Sequence, residues 1–323
     1  MYESNMSVLR QQFKNGFALR TFLICVISFV TLLAISVLYT PALQDRNFLV
    51  RLLGPFKSTC SYAADRRGPN QKIISYSLYG NFSGHDHIRK YVLPLKETLN
   101  SIPSIYPGWI VRIYHNLKKD DSQSWESFNS HLEIGSHVDI CNATEVVENR
   151  KLGTHLGAAT WRWLPMLDEM VDTVMSRDSD SRIIPREEDA VREWLASDRI
   201  YHIMRDHPNH CTSFILAGMW GVKLSQDRPQ IAGLFQKILN MEHKDYYGYD
   251  QTFLKDYFWP IAQTNMVSHD SYCCGNFPFS RPYPTPRTNG HFIGERNIPS
   301  EALRFPCPVK CRPVNATSEW NYC

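Results

Sequence analysis

An acidic pair, Asp178 and Asp180, lies in the segment Val171–Arg182, directly after a run of mostly apolar residues. That run, VDTVM, predicts a buried strand, and open α/β sheets bind ligands beyond the carboxyl ends of their strands. Two carboxylates one residue apart at such an edge can share Mg²⁺ or Mn²⁺, which prefer oxygen ligands and keep positions open for phosphate oxygens. Arg177 and Arg182 flank the pair and are suited to binding phosphate. The alternative is a solvated acidic turn without a ligand.

A second polar cluster, MRDHPNH, follows the predicted strand Ile200–Met204 and is expected at the same edge of the sheet. Arg205 is a candidate ligand of a diphosphate, and Asp206 is a candidate general base. Two other interpretations stay open for this cluster. One is a hydrolytic metal site built on His207 and His210, and the other is a turn held by internal hydrogen bonds.

Predicted strands and helices alternate along most of the chain, which is typical of a mostly parallel sheet covered on both faces. The predicted strands are Lys72–Tyr79, Trp109–Tyr114, His137–Cys141, Val171–Met175, Ile200–Met204 and Met219–Val222. The predicted helices are Ile88–Leu99, Trp125–His131, His155–Met170, Arg186–Ala196, Arg228–Leu239 and Asp250–Tyr257. Pro165 must kink or interrupt the helix that contains it.

With these motifs in place, the sequence resembles the glycosyltransferases of the GT-A fold, in a layout similar to the relatives of glycogenin. The resemblance covers roughly residues 72–270, and RDSDSR, MRDHPNH and GMWG also resemble a group of uncharacterised, glycosyltransferase-like animal proteins. It implies a single α/β domain of GT-A type. It also implies transfer of a sugar, in particular a hexosyl group, from a nucleotide-sugar donor to a glycan, protein or lipid acceptor.

The same resemblance implies a role for residues across the domain. Asp178 and Asp180 match the pair that binds Mn²⁺ or Mg²⁺, and His269 matches a late histidine that ligates the metal. Asp250 and Gln251 match a catalytic pair beside the transferred sugar, although Asp250 also fits a helix N-cap. The residues that match substrate-binding positions are Tyr76 and Gly80 for the base, and Gly218, Trp220 and Gly221 for the sugar and acceptor. The glycines around Trp220 predict an accessible, stacking ring.

A membrane anchor is expected near the N-terminus. No charged residue occurs between Arg20 and Asp45, and residues 21–40 (TFLICVISFVTLLAISVLYT) are long enough to span a bilayer as a helix. A cleaved signal peptide, the alternative, has a shorter apolar run. The predicted organisation is therefore a cytosolic tail at 1–20, a signal anchor at 21–40, a stem at 41–70 and a luminal catalytic domain at 71–323.

The cysteines and sequons favour a domain in the lumen of the Golgi. Eight of the nine cysteines follow the anchor, an even number that fits a disulfide framework, with a C-terminal wrap held by the last of them. A zinc site at Cys307 and Cys311 is the alternative. Glycosylation sequons at Asn81, Asn142 and Asn315 also follow the anchor.

Charge and composition narrow the class of function. The formal net charge is only +3 over 323 residues, without a clustered basic run, so no nucleic-acid partner is predicted. Three hypotheses remain: a metal-dependent glycosyltransferase, a non-catalytic carbohydrate-binding or adhesion ectodomain, and a metal-dependent hydrolase. The acidic pair at a strand end favours the first.

Overall fold

The computed structural model describes residues 26–31, 55–118, 120–153, 156–244, 246–296 and 303–323. The chain divides into two compact units, Met1–Phe56 and Lys57–Cys323. In the first unit residues 26–31 are helical. The predicted tail lies outside the described residues, as do most of the predicted anchor and the first part of the predicted stem. Within the described residues, no helix has the length and apolar character needed to cross a membrane.

A seven-stranded sheet organises the second unit, in the spatial order β3-β2-β1-β4-β6-β5-β7. The strands are β1 Gln71–Ser77, β2 Ile110–His115, β3 Val138–Asn142, β4 Val171–Arg177, β5 Tyr201–Arg205, β6 Met219–Lys223 and β7 Met266–Asp270. Strand β6 runs antiparallel to β4 and β5, and the other four pairings are parallel. This confirms the prediction of an α/β domain with a mostly parallel sheet. The six predicted strands are present, and β7 is a strand that the sequence analysis did not predict.

Helices cover both faces of the sheet. They are α1 Tyr62–Asp65, α2 His85–His87, α3 Leu93–Ile105, α4 Ser122–His131, α5 Ala143–Arg150, α6 Pro185–Ala196, α7 Arg228–Leu239, α8 Tyr249–Phe253 and α9 Trp259–Ala262. π-Helical turns, Ile88–Val92 and Leu254–Phe258, join α2 to α3 and α8 to α9. The predicted helix His155–Met170 is instead a 3₁₀ helix, Ala158–Leu167, and Pro165 within it cannot donate the backbone hydrogen bond of a regular α-helix.

Two apolar cores lie on the two faces of the sheet because successive strand residues point in opposite directions. On β1, Ile73 joins the core that contains Trp163, Trp220 and Phe235. Its neighbour Ile74 joins the core formed with helix α3 and with Trp194 of α6. The strands are buried on both sides, which explains why their sequences read as continuous apolar runs rather than as an alternation.

Four disulfide bonds fix the periphery and account for all eight cysteines of this unit. They are Cys60–Cys141, Cys211–Cys273, Cys274–Cys311 and Cys307–Cys323. The last two tie the irregular C-terminal segment to the end of β7 and to itself, as the predicted wrap requires. Cys307 and Cys311 bond to different partner cysteines, so the structure agrees with the disulfide framework and not with the zinc alternative.

Candidate active site

A large cleft lies where the topology of the sheet reverses. Strand β1 pairs with β2 on one side and with β4 on the other, so the crossover connections leave in opposite directions beyond the ends of β1 and β4. Residues 77–80 after β1 and residues 178–181 after β4 line a cleft of about 1120 Å³. The start of the antiparallel strand β6 meets the same edge, because Met219 pairs with Arg177. Three segments distant in sequence therefore converge on one cavity.

The carboxylate of Asp178 is held between a guanidinium and a glycine. Its Oδ1 accepts a short hydrogen bond from Nη1 of Arg162, and its side chain is 47 % exposed to the cleft. A Cβ at Gly218 would lie 2.2 Å from Asp178 Oδ2 and 2.3 Å from its Cγ, which is shorter than any normal contact. Any other residue at position 218 would therefore displace this carboxylate from its observed position.

Arg162 links the acidic pair to the predicted catalytic pair. Its Nη2 lies 2.7 Å from Oδ2 of Asp250, and both side chains are buried. Oδ1 of Asp250 accepts the backbone N–H of Gln251, whose side-chain oxygen accepts from Ser213 Oγ at 3.1 Å. The N-cap of α8 is Gly248, so Asp250 is not the N-cap residue. In the cleft, Asp178 and Asp250 therefore share one cationic partner, Arg162, which the sequence analysis did not identify.

Asp180 has a different partner, contributed by the C-terminal segment. Its Oδ2 lies 3.0 Å from Nε of Arg296. Burial, and next the nearby charge of Asp178, raise the pKa of Asp180 above its ordinary value. Two neighbouring carboxylates repel each other, and a bound cation would relieve this repulsion.

The acidic pair offers the type of ligand that a divalent metal prefers. Mg²⁺ and related ions are commonly held by one or two carboxylates, with waters and substrate phosphates completing the shell. The carboxylate of Asp178 is partly exposed and lines the cleft. Within the described residues, no group of three or more His, Cys, Asp or Glu side chains could hold a metal ion. Among the described residues, Asp178 and Asp180 are the side chains that would hold a metal here, with waters or phosphate oxygens in its shell.

Four predicted site residues have structural roles. Trp220 is fully buried and stacked on Phe235, which corrects the expectation of an accessible ring. Gly221 packs against Trp194, where a Cβ would lie 2.9 Å from the indole. Tyr76 is buried in the core with α3. Arg177 donates to Glu187 Oε1 from Nε at 2.9 Å, and this buried pair leaves it turned away from any phosphate.

The MRDHPNH cluster divides between the interior and the cleft. Arg205 forms a fully buried pair with Asp270 at 2.7 Å. Asp206, also fully buried, pairs with Arg186 and Arg287 at 3.3 and 2.7 Å and accepts the backbone N–H of Ile293. These contacts occupy the oxygens that a general base would need. The structure therefore does not bring Arg205 or Asp206 to the cleft.

His207 and His210 do line the cleft. Nδ1 of His207 accepts the backbone N–H of Asn209, and Nδ1 of His210 accepts that of Asp206. Burial lowers the pKa of His210 to about 4, so this imidazole is neutral at physiological pH. The cluster thus combines the predicted turn with two imidazoles that face the cavity.

His269 lies on β7 and is separated from the acidic pair by the sheet order. Its ring is buried, with Nδ1 3.0 Å from His202 Nε2 and Nε2 3.3 Å from Glu193. Both ring nitrogens are thereby engaged, and His269 does not line the cleft with Asp178.

Arg182 is half-buried, and its backbone N–H donates to the Glu295 carbonyl at 3.3 Å. Gly80, at φ +124°, does line the cleft, where it packs on the ring of His87.

Comparison with known proteins finds a weak structural likeness. No protein-family model and no curated protein matches this chain. Among solved structures, the crystal structure of 4-diphosphocytidyl-2C-methyl-D-erythritol synthase from Anaerococcus prevotii is similar, with a TM-score of 0.38 and 12 % sequence identity. The similarity covers 64 % of this chain and 89 % of that chain. A likeness this low does not by itself indicate a shared function.

Proposed function

We propose that this chain is a glycosyltransferase that transfers a sugar from a nucleotide-sugar donor with the help of Mn²⁺ or Mg²⁺. One observation carries the proposal. Asp178 and Asp180 lie at the carboxyl end of β4, on a large cleft at the point where the sheet topology reverses. Gly218 leaves the space that the Asp178 carboxylate needs. Nucleotide ligands of open α/β sheets bind at this kind of position.

On the donor side, the proposed role of the chain is to bind and orient the metal ion. Asp178 and Asp180 would hold the cation, and Arg162, which a buried ion pair with Asp250 holds in place, orients Asp178. When bound, such a metal neutralises the negative charge that develops on a departing diphosphate. At about 1120 Å³, the cleft exceeds the usual 300–1,000 Å³ of a small-ligand pocket, so it has room for a donor and part of an acceptor.

Beside the metal pair, Asp250 and Gln251 are placed to hold the transferred sugar. Both line the cleft, and the buried pair with Arg162 fixes Asp250 in one orientation. A carboxylate and an amide offer the acceptors and donors that sugar hydroxyls require. Tyr246 and Tyr247, which are 55 % and 93 % exposed, also line the cleft and present aromatic surface to an acceptor.

The same tyrosines favour a second candidate function, a carbohydrate-binding ectodomain without catalysis. That protein would need aromatic and polar contacts to a glycan but no metal-dependent affinity for a nucleoside diphosphate. The hydrolase alternative would use His207 and His210. Each of these uses Nδ1 for a backbone hydrogen bond, and no third ligand lies with them in the described part of the chain.

We further propose that the domain faces the Golgi lumen behind a single membrane anchor. The four disulfides support an oxidising compartment. The sequon residues Asn81 and Asn315 are exposed, whereas Asn142 caps helix α5 through its side chain. Protease and glycosidase treatment of intact microsomes tests this: a domain that is digested without detergent and carries no glycan contradicts it.

The activity is tested by a screen of nucleotide sugars with the purified full-length chain. We expect hydrolysis or transfer with at least one donor, dependent on added Mn²⁺ or Mg²⁺, and loss of about a hundredfold or more in Asp180→Asn because a metal–phosphate contact is weakened. Equal activity of Asp180→Asn, or metal-independent activity, refutes the proposed role of the acidic pair.

A further inference from the structure

Residues 294–296 lie along the acidic loop after β4. Ser181 and Arg296 form an antiparallel bridge, and Ser181 Oγ donates to the Gly294 carbonyl at 3.4 Å. Gly294, at φ +85°, sits so close to Met219 that a Cβ would lie 2.6 Å from its Sδ. These contacts fix the backbone next to the cleft, so that the long side chain of Arg296 is the part free to move.

The two carboxylates of the acidic pair have unequal partners. Asp178 pairs with Arg162, a buried cation that it shares with Asp250. The side chain of Asp180 is only 12 % exposed, yet its partner Arg296 is 52 % exposed. Because the guanidinium of Arg296 is half-exposed, water can replace it at little cost. Arg162 cannot leave in this way without stranding a buried charge.

We infer that Arg296 is a counter-ion that exchanges partners when the donor binds. It holds Asp180 in the protein without ligands, releases this carboxylate to the cation, and then donates to the diphosphate. The inference rests on the proposed function. Guanidinium suits the second role because its planar array of donors matches phosphate oxygens. The first role follows from the 3.0 Å contact, since Nε of Arg296 pairs with Oδ2 of Asp180, an oxygen that a metal ion would need as a ligand.

The exchange predicts opposite effects on two affinities. In Arg296→Gln, Asp180 no longer has to break an ion pair, so the Kd for Mn²⁺ alone is expected to fall by up to about fivefold. With saturating Mn²⁺, loss of a charged hydrogen bond is expected to raise the Kd for a nucleoside diphosphate by roughly 10- to 100-fold. A residue that only supported the fold would not move the two affinities in opposite directions.

Arg281→Gln is the matched control. Arg281 is 50 % exposed and pairs with a partly exposed carboxylate, Glu193, at 2.6 Å, but it does not line the cleft. The full-length chain and both variants are titrated with Mn²⁺, followed by the spin-resonance signal of the free ion. UDP and GDP are then titrated by calorimetry at saturating Mn²⁺. We expect Arg281→Gln to match the wild type in both titrations.

The outcomes separate this inference from the proposed function. If Mn²⁺ binding depends on Asp180 but Arg296→Gln leaves both affinities unchanged, or shifts them in the same direction, the exchange is refuted and the metal site stands. If the wild type binds Mn²⁺ no better than Asp180→Asn does, the proposed function itself fails. Tighter Mn²⁺ binding together with weaker UDP or GDP binding supports the exchange.

Discussion

Gly218→Ala is the substitution that probes the geometry of the cleft most selectively. The new Cβ would lie 2.3 Å from Cγ of Asp178, whereas ordinary contacts begin at 3.4 Å, so the carboxyl group must move by about 1.1 Å (3.4 minus 2.3). Gly218 has no positive φ, so alanine is compatible with its backbone. The substitution therefore acts on one neighbouring side chain rather than on the chain path.

The expected magnitude differs for binding and for stability. A misplacement of about 1 Å in a functional group can cost on the order of a hundredfold, which corresponds to about 2.7 kcal/mol. We expect the Kd for a nucleoside diphosphate with Mn²⁺ to rise by roughly this factor. Stability should fall by only about 1 kcal/mol, because Asp178 is 47 % exposed and Arg162 keeps its buried partner Asp250.

Calorimetric titration with UDP and GDP, alongside thermal unfolding, measures both quantities. Gly233→Ala is the control, since a Cβ added to this helical glycine of α7 would meet no other atom within 4 Å. It should leave binding unchanged and stabilise the chain by up to about 1 kcal/mol. If Gly218→Ala binds the diphosphate as tightly as the wild type does, the carboxylate of Asp178 is not part of the site and the reasoning fails.

Three further substitutions test other parts of the account. Arg162→Gln leaves Asp250 buried without its cation, so unfolding free energy should drop by about 3–5 kcal/mol in denaturant titration; a loss under about 1 kcal/mol contradicts the buried pair. Trp220→Ala should cost about 3–5 kcal/mol as a core deletion; lost ligand binding at unchanged stability would instead restore the stacking role. Burial and the charge of Asp178 raise the pKa of Asp180 in the metal-free folded state above its value in the unfolded chain. The folded state therefore keeps the Asp180 proton at a pH where the unfolded chain loses it, and the free energy of unfolding falls as pH rises between these two pKa values. Asp180→Asn should lack that fall in melting temperatures measured from about pH 3.5 to 6, and identical profiles would contradict it.

The sequence predicted the elements better than it predicted the contacts between them. Continuous apolar runs identified six strands, since each is buried on both faces. Strand β7 escaped prediction because polar Ser268, His269 and Asp270 make up much of it, and their hydrogen bonds are visible only in the fold. Pro165 correctly signalled an interrupted helix, but the 3₁₀ form depends on packing against both the sheet and α7.

The candidate site was also predicted only in part. Asp178, Asp180, Gly218, Asp250 and Gln251 converge because they follow strand ends or begin elements at one edge of the sheet. Arg177 and Arg205 were misassigned, since a strand-end position does not tell whether the side chain turns into the core. The predictive signal for Arg162 was weak but present: a charged residue between two tryptophans in an apolar segment needs a buried carboxylate.

Arg296 could not have been identified from its sequence position, because it lies more than a hundred residues after its partner in an irregular segment. Its backbone is held beside Asp180 by the bridge to Ser181, a pairing between distant segments. Long-range contacts of this kind follow from the assembled fold and not from local pattern.

The most direct test of the central claim is calorimetric titration of UDP and GDP into the full-length chain, with and without Mn²⁺, for the wild type and for Asp178→Asn combined with Asp180→Asn. We expect the wild type to bind at least one diphosphate with an affinity that Mn²⁺ increases at least about tenfold, which is about 1.4 kcal/mol. The double variant should fold and show no such increase. Equal binding by both proteins, with and without metal, would contradict a metal–diphosphate site at the end of β4.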